Sequence, residues 1–335
     1  MHQVTAISSP NIAFIKYWGN RNNELRLPAA DSLSMVLDTP TVEVTVEASD
    51  NFSVQSFDAQ GNEKPQSAQS IARLQKHWSM SKKYLQDINR GENLPNNVSI
   101  VIRSGIPPAI GIASSAAVFS CLAEAYGGCV QGKTLSRKDI SILGRLGSGS
   151  AGRNSFGGFV SLIHHGEDIA GAYGEQVADE NHWLLHDIVI VPSTMEKKVG
   201  STDGHAAAGT SPLFAERVRA IPKRMQECIG AIRTRDFEKL KVVSEEDSLD
   251  MHRVMETQVP SLQYLSGETR RILKEVEGMR ASDKLNVLYT MDAGPTVHLI
   301  CTEDSLKTVT DFAEAQKECL VFRAKTGKSS MLVST

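Results

Sequence analysis

One stretch of the chain constrains its folding most strongly: residues 106–117, Ile-Pro-Pro-Ala-Ile-Gly-Ile-Ala-Ser-Ser-Ala-Ala. The Pro-Pro pair follows the strand-like run 98–103, and small residues lead directly into an alanine-rich segment that predicts a helix. The first N–H groups of a helix lack partners within it, so small side chains there would let a phosphate approach the backbone. Ser114 and Ser115 would add hydroxyl donors or ligands for phosphate-bound Mg²⁺. A tight strand-to-helix connection without a ligand fits the same residues.

Composition excludes several function classes. A chain of 335 residues can bury a large core, and its length suggests two domains. The net charge of -3 gives no electrostatic footprint for nucleic acid or an anionic membrane. Five scattered cysteines without CxxC spacing favour reduced thiols over a disulfide framework or a zinc site. With neither a signal peptide nor a membrane-spanning run in view, we expect a cytoplasmic protein that binds no nucleic acid and no membrane.

Hydrophobic periodicity predicts strands and helices mixed without strict alternation, which favours an α+β fold over a doubly wound sheet. Strands are expected at 41–47, 98–103, 156–164, 187–191, 286–290 and 297–301. Helices are expected at 70–90, 114–127, 139–146, 213–234, 236–256, 267–280 and 304–317. Residues 196–212 predict a long loop, and Pro222 should kink its helix or mark the true start. The change of texture near this loop suggests domains of residues 1–190 and 191–335.

A glycine-serine segment, Gly147-Ser-Gly-Ser-Ala-Gly152, formally matches the dinucleotide pattern GxGxxG. The preceding residues predict a helix rather than a strand, and no βαβ unit surrounds the segment, so we reject that function. Arg153-Asn154 stands where a P-loop requires Lys-Ser/Thr. The remaining interpretation is a flexible loop presenting Ser148 and Ser150, with the Arg153 guanidinium placed to grip a carboxylate or phosphate. A plain solvated loop fits as well.

Two charged residues stand at the ends of apolar runs. Lys16 follows the run 11–15 and precedes Tyr17 and Trp18, so it is placed either to enter a cleft or to end a strand with its head in water. Asp292 lies in Met-Asp-Ala-Gly-Pro, where a turn-capping aspartate is the favoured interpretation in isolation. The nine histidines show no metal-ligand spacing, and the absence of GxSxG gives a hydrolase triad no support.

Taken together, several segments resemble the GHMP kinase superfamily and, within it, the mevalonate diphosphate and phosphomevalonate decarboxylases. They are NIAFIKYWG, LRLPAADSLSM, PPAIGIASSAA, GSGSAGRNSFGGFVS, EKKVGSTDG and MDAGPTVHL, collinear over nearly the whole chain. The resemblance implies a two-domain GHMP kinase-like fold with its active site in the cleft between domains, and a homodimer. It also implies ATP and Mg²⁺ as cofactors. The implied reaction phosphorylates the 3-hydroxyl of a 5-phosphorylated mevalonate and then expels phosphate and CO₂, giving an isopentenyl product.

The resemblance also implies residue roles. Asp292 would orient or deprotonate the 3-hydroxyl, while Lys16 would keep Asp292 ionised and stabilise the transferring phosphoryl group. Arg153 would grip the C1 carboxylate. Further substrate contacts would come from Tyr17, Ser148 and Ser150. ATP would be held by Pro108, Gly111, Ala113, Ser114, Ser115 and Ser201, with Ser115 also on the Mg²⁺.

Two departures from the family pattern concern the phosphate tail of the substrate. The family usually reads KYWGK, with the second lysine near the diphosphate, where this chain has Asn20. An arginine expected near position 70 has no clear counterpart in EKPQSAQS, and a glutamine aligns there. Because charge-assisted contacts contribute roughly 1.5–3 kcal/mol each, the sequence favours mevalonate 5-phosphate as substrate. If Arg21 or Arg26 compensates, the substrate would instead be mevalonate 5-diphosphate.

Two other functions remain open at this point. Some relatives phosphorylate the 3-hydroxyl of mevalonate without decarboxylation, but these tend to lose the lysine-aspartate pair that Lys16 and Asp292 provide here. A catalytically dead GHMP protein that only binds a ligand is the other alternative. The intact loop, lysine, arginine and aspartate argue against it.

Overall fold

Four sheets organise the part of the chain that the structure, a computed structural model, describes: residues 3–106, 114–130, 134–192 and 201–333. In chain order the strands are β1 (Val4–Ser8), β2 (Asn11–Ile15), β3 (Asn20–Asn22), β4 (Leu27–Pro28), β5 (Ser32–Val36), β6 (Val42–Ser49), β7 (Ser53–Phe57), β8 (Asn97–Ser104), β9 (Phe159–His164), β10 (Ala172–Ala178), β11 (His186–Pro192), β12 (Val287–Thr290), β13 (Val297–Cys301), β14 (Cys319–Lys325) and β15 (Met331–Leu332).

Helices cover most of these sheets by packing against them. In chain order they are α1 (Ala68–Asp87), α2 (Ser114–Gly128), α3 (Arg137–Gly147), α4 (Ser201–Ala207), α5 (Phe214–Thr234), α6 (Phe237–Thr257), α7 (Gly267–Asp283) and α8 (Leu306–Glu314). Short 3-10 turns occur at Gly149–Arg153 and Ala208–Thr210. This mixture of strands and helices confirms the predicted α+β class.

The first sheet has the strand order β15-β1-β6-β8-β7 and supports α2. Strands β6 and β8 pair antiparallel over their whole length, and β7 runs parallel to β8. The period-two alternation of β6 places Val42, Val44 and Val46 on the face that packs against Ala117 and Leu122 of α2. The helix that follows the Pro-Pro segment is therefore seated on this sheet by apolar contact.

The second sheet, β10-β9-β5-β2, positions the strand that precedes Lys16. Strands β2 and β5 are buried along their full length, because α5 and α6 pack on this sheet through residues such as Ile221 and Leu240. The third sheet, β12-β13-β11-β14, packs on α7 and α8. Strand β11 thus pairs with strands from the end of the chain, while the exact division at 190/191 stays a prediction.

Two local predictions, both of loops, differ from the structure. The loop expected at 196–212 is wrong for residues 201–210, which form α4 and a 3-10 turn. Tertiary contacts select this helix: the Gly204 carbonyl accepts a hydrogen bond from Gln258 at 3.3 Å, and a Cβ at Gly204 would overlap Trp18. Of the two alternatives for Pro222, the true start of the helix is wrong, since α5 runs through it from Phe214, and a kink stays a prediction.

The glycine-serine segment after α3 is not the flexible loop that the sequence predicts. It forms a buried 3-10 turn that continues from the end of α3. Hydroxyls from two helices hold its carbonyls: Ser120 donates to Ala151 O at 3.1 Å and Ser141 donates to Gly152 O at 2.5 Å. These buried hydrogen bonds supply order that glycine and serine propensities do not indicate.

Candidate active site

The ends of β2 and β12 bring Lys16 and Asp292 together. Lys16 directly follows β2, and Asp292 follows β12 by two residues. The Nζ atom of Lys16 donates to Oδ1 of Asp292 at 2.7 Å, with 1 % of the lysine side chain and 27 % of the aspartate side chain exposed. The alternative of a strand-end lysine with its head in water is therefore wrong. Asp292 directs its carboxylate into a cleft that both residues line.

The surroundings of this pair set its charge state. Burial alone would raise the pKa of Asp292, but the ammonium of Lys16, together with His298 and Arg153, outweighs burial and lowers that pKa below its ordinary value of 3.8. Burial lowers the pKa of Lys16 from 10.5, and the Asp292 carboxylate opposes this effect. Asp292 is accordingly an ionised hydrogen-bond acceptor at neutral pH.

Arg153 lines the same cleft and is held by three neutral side chains. Its Nε donates to Ser34 Oγ at 2.8 Å, Nη1 to Ser32 Oγ at 2.7 Å and Nη2 to Asn11 Oδ1 at 3.0 Å. Burial lowers the pKa of Arg153 to about 10, so the group still carries its charge at neutral pH. These partners orient the guanidinium without neutralising it, which leaves its charge available to an anion. The sequence did not indicate this role for Asn11, Ser32 and Ser34.

A row of hydroxyls joins the start of α2 to the 3-10 turn. Ser115 Oγ lies 3.1 Å from Ser148 Oγ, which in turn lies 3.2 Å from Ser150 Oγ. Ser115, which is predicted to contact nucleotide, therefore lies next to Ser148 and Ser150, which are predicted to contact substrate. The other predicted nucleotide contacts lie outside what the structure describes: residues Pro108, Gly111 and Ala113, and the side chains of Ser114 and Ser201.

Tyr17 closes one side of the cleft. Its ring lies so near the 3-10 turn that a Cβ at Gly149 would overlap it, so glycine is required there for close approach. The hydroxyl donates to Oδ1 of Asn20. Burial raises the pKa of Tyr17 to about 12, so the phenol keeps its proton at neutral pH.

His205 is a cleft residue that the sequence analysis missed, because it falls within the segment expected to be a loop. Its ring centroid lies 4.5 Å from those of both Tyr17 and Trp18. The Nδ1 atom accepts a hydrogen bond from Gly19 N at 3.1 Å. Burial lowers the pKa of His205 to about 3, with nearby arginines adding to the effect, so the ring is neutral.

Two further arginines line the cleft beyond Tyr17. Arg73 of α1 donates from Nη2 to Gly147 O at 2.8 Å, and its guanidinium lies 4.7 Å from the centre of the Phe119 ring. Arg26, between β3 and β4, lines the cleft beside it. Burial lowers the pKa of Arg73 to about 10 and also lowers that of Arg26. Both groups remain cations at neutral pH.

The two cations that the sequence analysis found missing are thus accompanied by two others in the cleft, Arg26 and Arg73, and the alternative in which Arg26 compensates gains support. Arg73 precedes His77 by four residues and so lies on the buried face of α1, a spacing that could have located it. Arg21, the other arginine considered as a substitute, points away and pairs with Glu167 at 3.1 Å near the surface. Of the two, only Arg26 faces the cleft.

The described lining carries four cations and one carboxylate: Lys16, Arg26, Arg73, Arg153 and Asp292. Such a cleft suits an anionic ligand. Across the described residues, no three His, Cys, Asp or Glu side chains gather into a metal site. None of the helices found there is both long and apolar enough to cross a bilayer.

Two protein-family models match the chain. Residues 8–173 match the diphosphomevalonate decarboxylase-like N-terminal domain. Residues 187–329 match the mevalonate 5-diphosphate decarboxylase C-terminal domain. The two matches follow each other along the chain and together cover most of it.

Curated relatives agree with these models. The diphosphomevalonate decarboxylase of Homo sapiens is 33% identical over 329 residues, covering 93% of this chain and 79% of the relative. The diphosphomevalonate decarboxylase of Ganoderma lucidum is 32% identical over 328 residues, covering 93% of this chain and 81% of the relative. These names favour the diphosphate alternative over the monophosphate that the sequence analysis preferred.

Solved structures share the fold. Mevalonate diphosphate decarboxylase from Staphylococcus aureus superimposes with a TM-score of 0.87 at 26% identity, covering 99% of this chain and 98% of the other. The complex described as MDDEF with MVAPP, AMPPCP and magnesium gives a TM-score of 0.86 at 28% identity, with 99% of both chains covered. This complex supports ATP and Mg²⁺ binding within the family.

These matches confirm the two-domain GHMP kinase-like architecture and an enzyme of the ATP-dependent carboxy-lyase class. The homodimer, the cytoplasmic location and the roles of single residues stay predictions. The fold, the cationic cleft and the two family models lead to one assignment: this chain belongs to the diphosphomevalonate decarboxylase family.

Proposed function

We propose that this enzyme converts mevalonate 5-diphosphate to isopentenyl diphosphate by ATP-dependent phosphorylation of the 3-hydroxyl followed by decarboxylation. The largely buried Lys16–Asp292 pair, with Nζ and Oδ1 2.7 Å apart in a cleft rich in cations, is the observation that carries the proposal. The relatives' names support the diphosphate as substrate. So do Arg26 and Arg73, because they supply the positive charge that a second phosphate requires.

Asp292 is assigned to the 3-hydroxyl of the substrate. Its lowered pKa makes it a weak base, so it accepts a hydrogen bond from the hydroxyl and takes the proton late, as the O–P bond forms. A loose phosphoryl-transfer transition state needs little earlier deprotonation of the nucleophile. Lys16 keeps Asp292 ionised and offers its positive charge to the phosphoryl group that ATP supplies.

The second step breaks two bonds. Phosphate leaves C3 with the electrons of the C3–O bond, and C1 departs as CO₂ while the electrons of the C1–C2 bond form the C2–C3 double bond. Arg153 is assigned to hold the C1 carboxylate in line with this elimination, because its three neutral partners fix its orientation and leave its charge uncompensated. Tyr17, Ser148 and Ser150 complete the substrate side of the cleft.

The nucleotide side is assigned to the start of α2. Ser115 places a hydroxyl at this helix start, beside that of Ser148, where a hard cation bound to phosphates finds oxygen ligands. Pro108, Gly111, Ala113, Ser114 and Ser201 are proposed to complete the ATP site. Mg²⁺ would be carried by the ATP phosphates rather than by a carboxylate cluster.

A second candidate keeps the reaction but changes the substrate to mevalonate 5-phosphate. Asn20 favours it, because an amide stands where the family usually has a lysine near the diphosphate. Against this candidate, Arg26 and Arg73 both line the cleft and supply positive charge in place of that lysine.

The deciding experiment measures ATP-dependent CO₂ release from mevalonate, its 5-phosphate and its 5-diphosphate under identical conditions. We expect kcat/KM to be highest for the diphosphate, by about tenfold or more, because one more charge-assisted phosphate contact contributes roughly 1.5–3 kcal/mol. A higher value for the 5-phosphate would overturn the substrate assignment. ADP formation without CO₂ would overturn the decarboxylation.

A further inference from the structure

Two consecutive residues of α6, Asp247 and Ser248, contact the main chain beside the two members of the Lys16–Asp292 pair. Asp247 bonds to the backbone of Lys16, and Ser248 bonds to the backbone of Met291, the residue before Asp292. Both α6 side chains are fully buried. A single turn of one helix therefore touches two segments that lie far apart in the sequence.

The contact with Lys16 is held by an ion pair. Oδ2 of Asp247 accepts the Lys16 N–H at 2.7 Å and a hydrogen bond from Arg217 Nη2 at 2.9 Å. The same Nη2 donates to the Lys16 carbonyl at 3.2 Å. Arg224 donates to the other oxygen of Asp247 at 3.2 Å. Both backbone polar groups of Lys16 are thus bound by charged side chains whose positions are fixed by one another.

The contact beside Asp292 is made by the hydroxyl of Ser248, and the ring of His252 on the same helix also interacts with the Met291 backbone. Oγ of Ser248 accepts the Met291 N–H at 3.0 Å and lies 3.2 Å from the Met291 carbonyl, to which it donates. Met291 is fully buried, so these are the backbone bonds that a strand would otherwise make. Asp292 is the next residue, so these contacts fix the backbone directly before its carboxylate.

We propose that this turn of α6 sets the separation between the Lys16 ammonium and the Asp292 carboxylate, which makes Asp247 and Ser248 positioning residues for phosphoryl transfer. The inference rests on the catalytic roles assigned above to Lys16 and Asp292. Neither α6 side chain lines the cleft, so each acts only through the backbone it holds. Small displacements of reacting groups cost large factors in rate, which is why such an anchor matters.

Ser248→Ala is the informative variant, because Asp247→Ala would remove the fully buried one of the two carboxylates that Arg217 and Arg224 share, leaving them Asp250, and is expected to destabilise the fold. Ser244 provides a matched control on the preceding turn of α6. It is also fully buried, and its hydroxyl has no hydrogen-bond partner within the described residues. Ser244→Ala removes the same atom from the same helix without touching Lys16 or Met291.

The pH dependence of kcat serves as the readout, because the charged groups around the pair set the pKa of Asp292. The pKa of Asp292 is lowered by the charges of Lys16 after β2, of His298 on β13 and of Arg153 in the 3-10 turn. The pKa of Lys16 is raised by the carboxylates of Asp292 and Asp247. His252 of α6 faces both members of the pair. If the distance between the ammonium and the carboxylate increases, Lys16 lowers the pKa of Asp292 less. Burial then raises that pKa. The acidic limb of the kcat profile then moves to higher pH.

In Ser248→Ala we expect kcat for CO₂ release to fall about tenfold or more, with KM for ATP and for substrate within about twofold of wild type. The midpoint of the acidic limb in the kcat profile should move to higher pH by about half a unit or more. Ser244→Ala should change neither quantity. Wild-type kcat and an unmoved limb in Ser248→Ala would overturn the proposal, as would equal losses in both variants. An active Asp292→Asn enzyme would instead overturn the catalytic roles beneath it.

Discussion

Lys16 and Asp292 are 276 positions apart in the chain, yet Nζ of the lysine and Oδ1 of the aspartate lie 2.7 Å apart in a largely buried ion pair. Each residue comes just after a strand that runs into the cleft, one from the second sheet and one from the third. The cleft's single carboxylate among the described lining residues therefore sits against a cation.

The first prediction concerns the carboxylate itself. Asp292→Asn keeps the size of the side chain but removes the charge and the proton acceptor, so CO₂ release should fall by about 10²–10⁴-fold. ATP binding, measured by calorimetry, should persist. Asp311→Asn, an exposed substitution on α8, serves as the control and should leave turnover unchanged. Near-normal turnover of Asp292→Asn would show that the assigned role is wrong.

The second prediction concerns pH. Because the pKa of Asp292 lies below 3.8, the active charged form should be lost only as pH falls below about 4. Because burial lowers the pKa of Lys16 below 10.5, activity should decline on the alkaline side before that pH is reached. Since the two groups interact, both limbs of the kcat/KM profile belong to the pair.

A substitution of the lysine tests the cause of the acidic limb. In Lys16→Met nothing replaces the ammonium, so burial should raise the pKa of Asp292 and move the acidic limb of the residual activity to higher pH. Lys307→Met, at a side chain 87 % exposed, is the control and should leave the profile unaltered. An unmoved limb in Lys16→Met would mean that the ammonium does not set the ionisation of Asp292.

The third prediction assigns Arg153 to substrate binding. Arg153→Met should raise KM for the phosphorylated mevalonate about 10- to 100-fold, because a charge-assisted contact contributes roughly 1.5–3 kcal/mol. It should affect kcat less. The exposed substitution Arg219→Met should change neither parameter. Thermal unfolding must be measured beside the kinetics, since Asn11, Ser32 and Ser34 lose their shared donor. An unchanged KM would exclude the carboxylate contact.

The fourth prediction separates two arginines that the sequence could not tell apart. Arg26→Met should lower kcat/KM for mevalonate 5-diphosphate about tenfold and lower the value for the 5-phosphate less, so the preference between them narrows. Arg21→Met removes an equal charge, but from a side chain that pairs with Glu167 away from the cleft, and should leave the preference intact. Equal effects of both variants would point to general electrostatic attraction rather than a local contact.

The fifth prediction concerns the close approach of the 3-10 turn to Tyr17. Gly149→Ala adds a methyl group where the tyrosine ring already lies, so the ring or the turn must move, at a cost of about 1–3 kcal/mol. We expect lower kcat/KM with a modest loss of thermal stability. Gly209→Ala, whose added Cβ would meet no atom within 4 Å, is the matched control. Wild-type kinetics in Gly149→Ala would show that Tyr17 has room to shift.

Much of the local structure was predictable because its signals are short-range. The alternation at 41–47 and the apolar run at 98–103 correspond to β6 and β8, and the alanine-rich segment corresponds to α2. The glycine-serine turn at 147–152 and α4 were missed for a common reason. Their order comes from buried hydrogen bonds and ring contacts with distant residues, which no local propensity reports.

By itself the sequence determined the α+β class and the family, and it pointed to part of the candidate cleft, including Lys16, Arg153 and Asp292, because motifs such as IKYWG and DAGP are contiguous in the chain. Only the tertiary structure decided which cationic side chains line the cleft. Arg21 and Arg26 lie five positions apart, and the way their hairpin packs turns one toward Glu167 and the other toward the cleft. Arg73 reaches the same place from α1. The helix face and the hairpin orientation are set by burial against distant partners, and therefore by the whole fold.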